Sequence, residues 1–172
     1  MSTAAFDLIK YTGTNAGTPN DSLYNPCFLD EDSNSTETGS RSIAVPTTGS
    51  NYSYEVSLAL KCILAPNNQC NNFKFWGANT QPATGIIVYA GVSATGSTPT
   101  NSPSVIAITR QDTNYISSGL GEYLTIPVVP GDSIINAVDE ETYRLVLQMQ
   151  VLAGAFRGNV PTMIFYLEYD EA

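Results

Sequence analysis

Apolar and polar residues alternate most regularly in three stretches of the chain, and that alternation predicts β-strands. In the first, Tyr52, Tyr54, Val56, Leu58, Leu60, Cys62 and Leu64 fall on one side, and Ser53, Glu55, Ser57, Ala59, Lys61 and Ile63 on the other. A period of two sets one side against a core and leaves the other largely wet. In the second, Tyr143, Leu145, Leu147, Met149 and Val151 alternate with Arg144, Val146, Gln148, Gln150 and Leu152. Leu, Gln and Met favour helices, and Asp139, Glu140 and Glu141 would suit a helix's first turn, but the two-residue period decides for a strand. In the third, Met163, Phe165, Leu167 and Tyr169 alternate with Ile164, Tyr166, Glu168 and Asp170, a closing strand expected in the middle of a sheet.

Between Cys62 and Gly91, two turn signals, Pro66-Asn67-Asn68 and Asn79-Thr80-Gln81-Pro82, separate runs of β-branched and aromatic residues. Phe73, Phe75 and Trp76 in one run and Ile86 to Tyr89 in the next predict antiparallel strands joined as a meander or as part of a sandwich. Gly77, Gly85 and Gly91 stand at the run edges, where positive φ or close backbone approach is most often needed. A polar loop over Ser93 to Ser104, short strands at Val105 to Ile108 and Tyr123 to Ile126, a loop over Gln111 to Gly121 and a turn at Val129 to Asp132 follow from the same signals. Phe6, Leu8 and Lys10 alternate with Asp7 and Ile9, as in a first strand or an arm that pairs with a neighbour. From Thr12 to Ser50 small polar residues dominate, with apolar islands at Leu23-Tyr24, Cys27-Phe28-Leu29 and Ile43-Ala44-Val45. Such a segment is either disordered or ordered by lying over another surface. The expectation is all-β: a two-sheet antiparallel β-sandwich, jelly-roll or immunoglobulin-like, of about eight strands. A polar N-terminal arm would span residues 1–50 and the sandwich domain residues 51–172.

A chain of 172 residues buries roughly 70% of its unfolded surface, so it needs no disulfide or metal to fold. Charged residues are 13% of the chain and the net charge is −9. The seven basic residues are scattered singly, which argues against nucleic acid and anionic membranes as partners. The start, MSTAAFDLIKYTG, lacks the basic and apolar regions of a secretory signal, and no run approaches the roughly 18 apolar residues of a membrane span. Synthesis in the cytoplasm without a cleaved signal is expected. Cys27, Cys62 and Cys70 are odd in number and lack metal-ligand spacing. Cys62 and Cys70 flank a turn and could face each other, but buried free thiols are the favoured reading.

Histidine is absent, which removes Ser-His-Asp and Cys-His catalysis and His-ligated zinc. Glycoside hydrolysis needs only two carboxylates, for which Glu55, Glu122, Asp139, Glu140, Glu141 and Glu168 are available, but nothing pairs any two of them. Asp30-Glu31-Asp32-Ser33-Asn34 imitates the opening of a calcium loop. It then has Ser35 where that loop needs Gly and Arg41 where it needs Glu. No catalytic, cofactor-binding or metal-binding residue is expected. Trp76 with Tyr89, Tyr115 and Tyr123 would make a sugar-stacking platform, although aromatics in a sandwich are more often core or interface.

The run Asn72-Phe73-Lys74-Phe75-Trp76-Gly77, the approach Pro82-Ala83-Thr84-Gly85 to Ile86-Ile87-Val88-Tyr89-Ala90-Gly91, and the closing Thr162 to Glu171 resemble small structural proteins of tailed bacteriophages. The resemblance covers about residues 52 to 172 and carries no catalytic residue. It implies a virion component similar to capsid decoration (cement) proteins, which sit as homotrimers on the shell and brace neighbouring capsomers. Its partners would be the major capsid protein and copies of itself. On that reading Phe6, Leu8, Leu23, Phe28 and Leu29 anchor the arm on the shell. The alternatives are a tail, neck or head-fibre component, or a glycan-binding host-attachment module using Trp76 and Tyr89.

Overall fold

The computed structural model describes residues 4–20, 27–32, 42–77, 83–96, 98–104, 108–110, 123–128, 134–155, 157 and 164–172. In chain order their strands are β1 (Ala5–Thr12), β2 (Thr18–Asn20), β3 (Ser50–Tyr52), β4 (Val56–Leu64), β5 (Cys70–Gly77), β6 (Ile86–Ser93), β7 (Ile108–Arg110), β8 (Leu124–Thr125), β9 (Ile134–Ile135), β10 (Arg144–Leu152) and β11 (Phe165–Glu171). Among the described residues one 3-10 turn, Thr14–Ala16, is the whole helical content. The fold is thus all-β, and its two antiparallel sheets make a sandwich. The larger runs β2-β1-β4-β10-β6-β7, with β3 also paired to β10. The smaller runs β11-β5-β8, with β9 further along β5.

Alternation builds the core from the inner faces of both sheets. Val56, Leu58, Leu60 and Cys62 of β4 and Leu145 and Leu147 of β10 meet Cys70, Phe73 and Phe75 of β5, with Ile126, Val128 and Ile135 filling in. Phe75 stacks on Phe165 at 5.3 Å between ring centroids. A second cluster, Ile86, Val88, Met149, Val151 and Ala155, continues the core beneath β6. Each fully buried aromatic or aliphatic side chain here contributes about 1.5–3 kcal/mol. Gly85 must remain glycine: its φ is +79°, and a Cβ there would stand 2.8 Å from the Ala155 Cα.

Several expectations are corrected. The strands around Cys62 to Gly91 are not a meander, because β4 and β6 lie in the larger sheet and β5 in the smaller. Phe73 and Phe75 are apolar on the side that faces β4 across the core, so the chain crosses between sheets at Pro66-Asn67-Asn68. The strand expected over Tyr52 to Leu64 is broken: the Tyr54 and Glu55 amides leave the ladder and donate to Leu29 O and Thr100 O. Its supposedly wet side is buried at Ser53, Glu55, Ser57 and Ala59. On the outer face of β4, Ala59 packs with Ile9 and Tyr11 of the neighbouring strand β1 and with Ala16 of the 3-10 turn. Among the described residues the closing strand β11 is an edge, not a centre. Cys62 and Cys70 are buried free thiols. Burial pushes both above the ordinary thiol range, Cys70 to about 11.

Residues 4–20 do not stand apart as an arm. β1 pairs with β4 from Ala5↔Leu64 to Tyr11↔Ser57, and β2 adds to its other edge. Phe6 meets Phe73 at 5.5 Å and Tyr169 at 4.8 Å, clamping the first strand to the smaller sheet. The Ala4 amide donates to the Glu171 carboxylate at 3.2 Å, and the Tyr169 hydroxyl donates to Ala4 O at 3.2 Å. The turns expected at Asn79 to Pro82 and Val129 to Asp132, residues Val105 to Ala107 of a short strand, and the Gln111 to Gly121 loop lie wholly or mainly outside the described residues.

Phe73 joins β5 to both β1 and β11, so Phe73→Ala should lower unfolding stability by about 3–5 kcal/mol. Equilibrium urea denaturation will measure the loss.

Candidate functional site

The most organised polar region lies on the outer face of the larger sheet. β10 is hydrogen-bonded along one edge to β6, and along the other to β4 at Leu145 to Leu147 and β3 at Gln150 to Leu152. Ser53 fills the gap: its amide donates to Met149 O at 2.8 Å, and its hydroxyl accepts from the Met149 amide at 3.0 Å. Gln148 is fully buried, and its Nε2 donates to Ser53 O, Thr100 O and Ser102 O at 3.1, 3.2 and 2.7 Å. Its Oε1 accepts from the Ser104 amide at 2.9 Å. The Ser104 hydroxyl donates to buried Glu55. One glutamine therefore holds the 98–104 loop onto the sheet.

Two residues on, Gln150 repeats the device at the sheet's rim. Its Nε2 donates to Ser50 Oγ at 3.0 Å and to the Tyr52 hydroxyl at 2.8 Å, and its Oε1 accepts from the Tyr89 hydroxyl at 3.0 Å. Asn51 Nδ2 donates to Ala44 O at 2.9 Å, fastening the 42–49 segment beside β3. These bonds shape a cleft of about 440 Å³ between residue 30, residues 43–44, 50–52 and 101–103.

The smaller sheet presents an aromatic row outward. Trp76 stacks on Tyr166 at 5.5 Å with planes 21° apart. β8 pairs Lys74 with Thr125 and Phe75 with Leu124, and continuing that register by one residue brings Tyr123 beside Trp76. Lys74 Nζ lies 5.2 Å from the Tyr123 ring centre and 3.3 Å from Glu168 Oε1. Tyr123, Ile164, Tyr166 and Leu167 are all more than a third exposed.

The residues singled out from sequence are distributed differently than expected. Trp76 and Tyr89 do not form one platform, since they lie on the outer faces of different sheets; Tyr166, which alternation places opposite Trp76, takes the place expected for Tyr89. Tyr115 and Leu23 lie outside the described residues. Phe6, Leu8 and Phe28 pack against the chain's own core and Leu29 is buried, so these side chains are already used internally instead of anchoring an arm elsewhere.

Several of the described carboxylates serve separate local structures. Asp139 pairs with Lys61 at 2.8 Å. Glu140 Oε2 accepts from the Asn136 and Ala137 amides at 2.7 and 2.9 Å. Glu141 receives the Tyr11 hydroxyl at 2.7 Å and Arg144 at 3.0 Å, while the Arg144 guanidinium lies 3.3 Å from the centre of the Tyr11 ring. Burial, followed by donation to Glu141, raises the Tyr11 phenol from 10 to about 12. Lys10 is buried in register with Leu58; desolvation lowers its pKa, against the opposing influence of Asp32. Asp32 accepts the Gly13 amide at 2.6 Å. Among the described residues no cluster of three or more Cys, Asp or Glu is arranged to hold a metal ion.

Comparison with known proteins finds no matching family model, no similar curated protein and no similar solved structure.

Replacing Gln148 with Leu should strand the Ser104 amide and the Ser53 and Ser102 carbonyls, costing about 2–3 kcal/mol and speeding amide exchange at Ser104. Exchange measured by NMR beside a urea curve separates loop release from global loss. Because the Tyr11 pKa is raised on folding, its contribution is complete below pH 10 and is lost as pH climbs towards 12. Absorbance titration of the phenolates should show late transitions for Tyr11 and for Tyr169, which burial also raises, and Tyr11→Phe should remove the first of these two groups and leave the other.

Proposed function

We propose that this chain is a structural protein of a virus particle, a capsid decoration protein that binds the outside of a tailed-phage head and braces neighbouring capsomers without catalysis. The observation that carries the reading is the surface of the smaller sheet. Tyr123, Ile164 and Tyr166 expose apolar area there, and β11 ends the sheet with one edge unpaired among the described residues. An exposed aromatic and aliphatic face beside an open strand edge suits a repeated protein contact, with side chains supplying burial and the edge supplying backbone hydrogen bonds. The resemblance of Asn72 to Gly77, Pro82 to Gly91 and the closing strand to phage structural proteins points the same way. The partners on this reading are the major capsid protein and further copies of this chain, assembled as a trimer. The first strand belongs to the sandwich, so the contact is assigned to the smaller sheet and not to a detached arm.

Cryo-electron microscopy of the purified protein mixed with empty shells of its virus tests this. Symmetric knobs on the lattice are expected, and Tyr166→Asp with Ile164→Asp, both on the exposed outer face, should reduce their occupancy at least tenfold while leaving the melting transition in place. Bare shells beside folded wild-type protein would overturn decoration and favour a tail, neck or fibre position.

A further inference from the structure

We propose that the cleft between the 43–52 and 101–103 segments is a binding site for a neutral saccharide. Its volume, about 440 Å³, lies within the roughly 300–1,000 Å³ of small-ligand sites. Its lining is amide, hydroxyl and one carboxylate, with Ile43, Ala44 and Pro103 supplying apolar surface.

The hydrogen-bond inventory shows which of these groups remain available. Gln150 Nε2 donates to both Ser50 Oγ and the Tyr52 hydroxyl, occupying an acceptor site on each and leaving each O–H to donate. The Gln150 Oε1 in turn receives the Tyr89 hydroxyl, so the amide is held by three hydroxyl partners. Asn51 commits its Nδ2 to Ala44 O and keeps its Oδ1. Asp30 and the side chains of Asn101 and Ser102 make no hydrogen bond or ion pair among the described residues. The cleft lining therefore includes groups of Ser50, Tyr52 and Asn101 that can donate and oxygens of Asp30 and Asn51 that accept. Vicinal hydroxyls, each donor and acceptor at once, match that mixture, and a carboxylate can take two of them in charge-assisted bonds.

Charge selects among sugars. The described lining contains no Lys or Arg, and Asp30 sits in a chain of net charge −9, so acidic sugars and phosphates are repelled. The walls are held before any ligand arrives, Ser50 and Tyr52 by Gln150 and the 100–104 segment by Gln148, which reduces the ordering entropy that binding must overcome.

Saturation-transfer NMR on the isolated full chain tests the site independently of any shell. The probes are glucose, galactose, N-acetylglucosamine, maltose and lactose, with glucuronate and N-acetylneuraminate as acidic controls. Transfer to at least one neutral sugar is expected, with none to the acidic pair. Asp30→Asn should weaken binding about tenfold or more. Asn101→Trp, at an exposed loop position, should abolish it with an unchanged circular dichroism spectrum. Comparing maltose with maltohexaose separates recognition of a free sugar from that of a polysaccharide chain. Silence from every neutral sugar at about 10 mM, preference for the acidic pair, or binding that survives both substitutions would overturn the proposal.

Discussion

A buried side-chain amide is costly unless it is hydrogen-bonded, and β10, buried along most of both faces, carries two glutamines. Buried Gln148 would cost several kcal/mol if its amide were idle. It is instead satisfied four times over, by Ser53, Thr100, Ser102 and Ser104. Meeting that requirement determines much else. Ser53 must sit opposite Met149, so the strand from Ser50 to Leu64 has to break into β3 and β4. The 98–104 loop must lie on the sheet, and Glu55 is buried beneath it with Ser104 as its partner. The cleft at the rim is a by-product of the same arrangement, since its walls are the segments that Gln148 and Gln150 hold.

Closure of the sandwich depends on a second, apolar junction. Phe6, Phe73 and Tyr169 come from the first strand, the central strand of the smaller sheet and the last strand, with their rings 4.8 to 5.8 Å apart. The ends of the described chain meet there as well, through Ala4 with Glu171 and Tyr169. Contacts between residues more than 160 positions apart tie folding to long-range closure, which is entropically slow to form. The polar, weakly patterned segment after Thr12 is compatible with a stable fold because strands on either side of it in sequence are joined by this junction.

The two surfaces have different chemical characters. Tyr123, Ile164 and Tyr166 expose apolar area on the smaller sheet, whereas the rim of the larger sheet offers hydroxyls, amides and a carboxylate. A particle component that touches a protein lattice through one surface and a neutral sugar through another would use both without a reactive centre. The weakly charged composition suits this division, since neither surface depends on long-range electrostatic attraction.

From the sequence by itself came the class of fold, the inward side of β4, and the unsuitability of this chain for histidine chemistry. Those follow from local periodicity and composition, which report the side of a strand and the inventory of groups. Tertiary structure decided which strands are neighbours, and so turned an apparent meander into a crossing between sheets. It also converted Ser53, Glu55, Ser57 and Ala59 from solvent-facing to buried, because the cover over them comes from residues 9–16 and 98–104, distant in the chain. Tyr166 became the partner of Trp76, and Tyr89 was sent to the other face, by strand pairing alone. A two-residue period cannot distinguish a wet face from one covered by a loop, and it carries no label for the strand across the sheet.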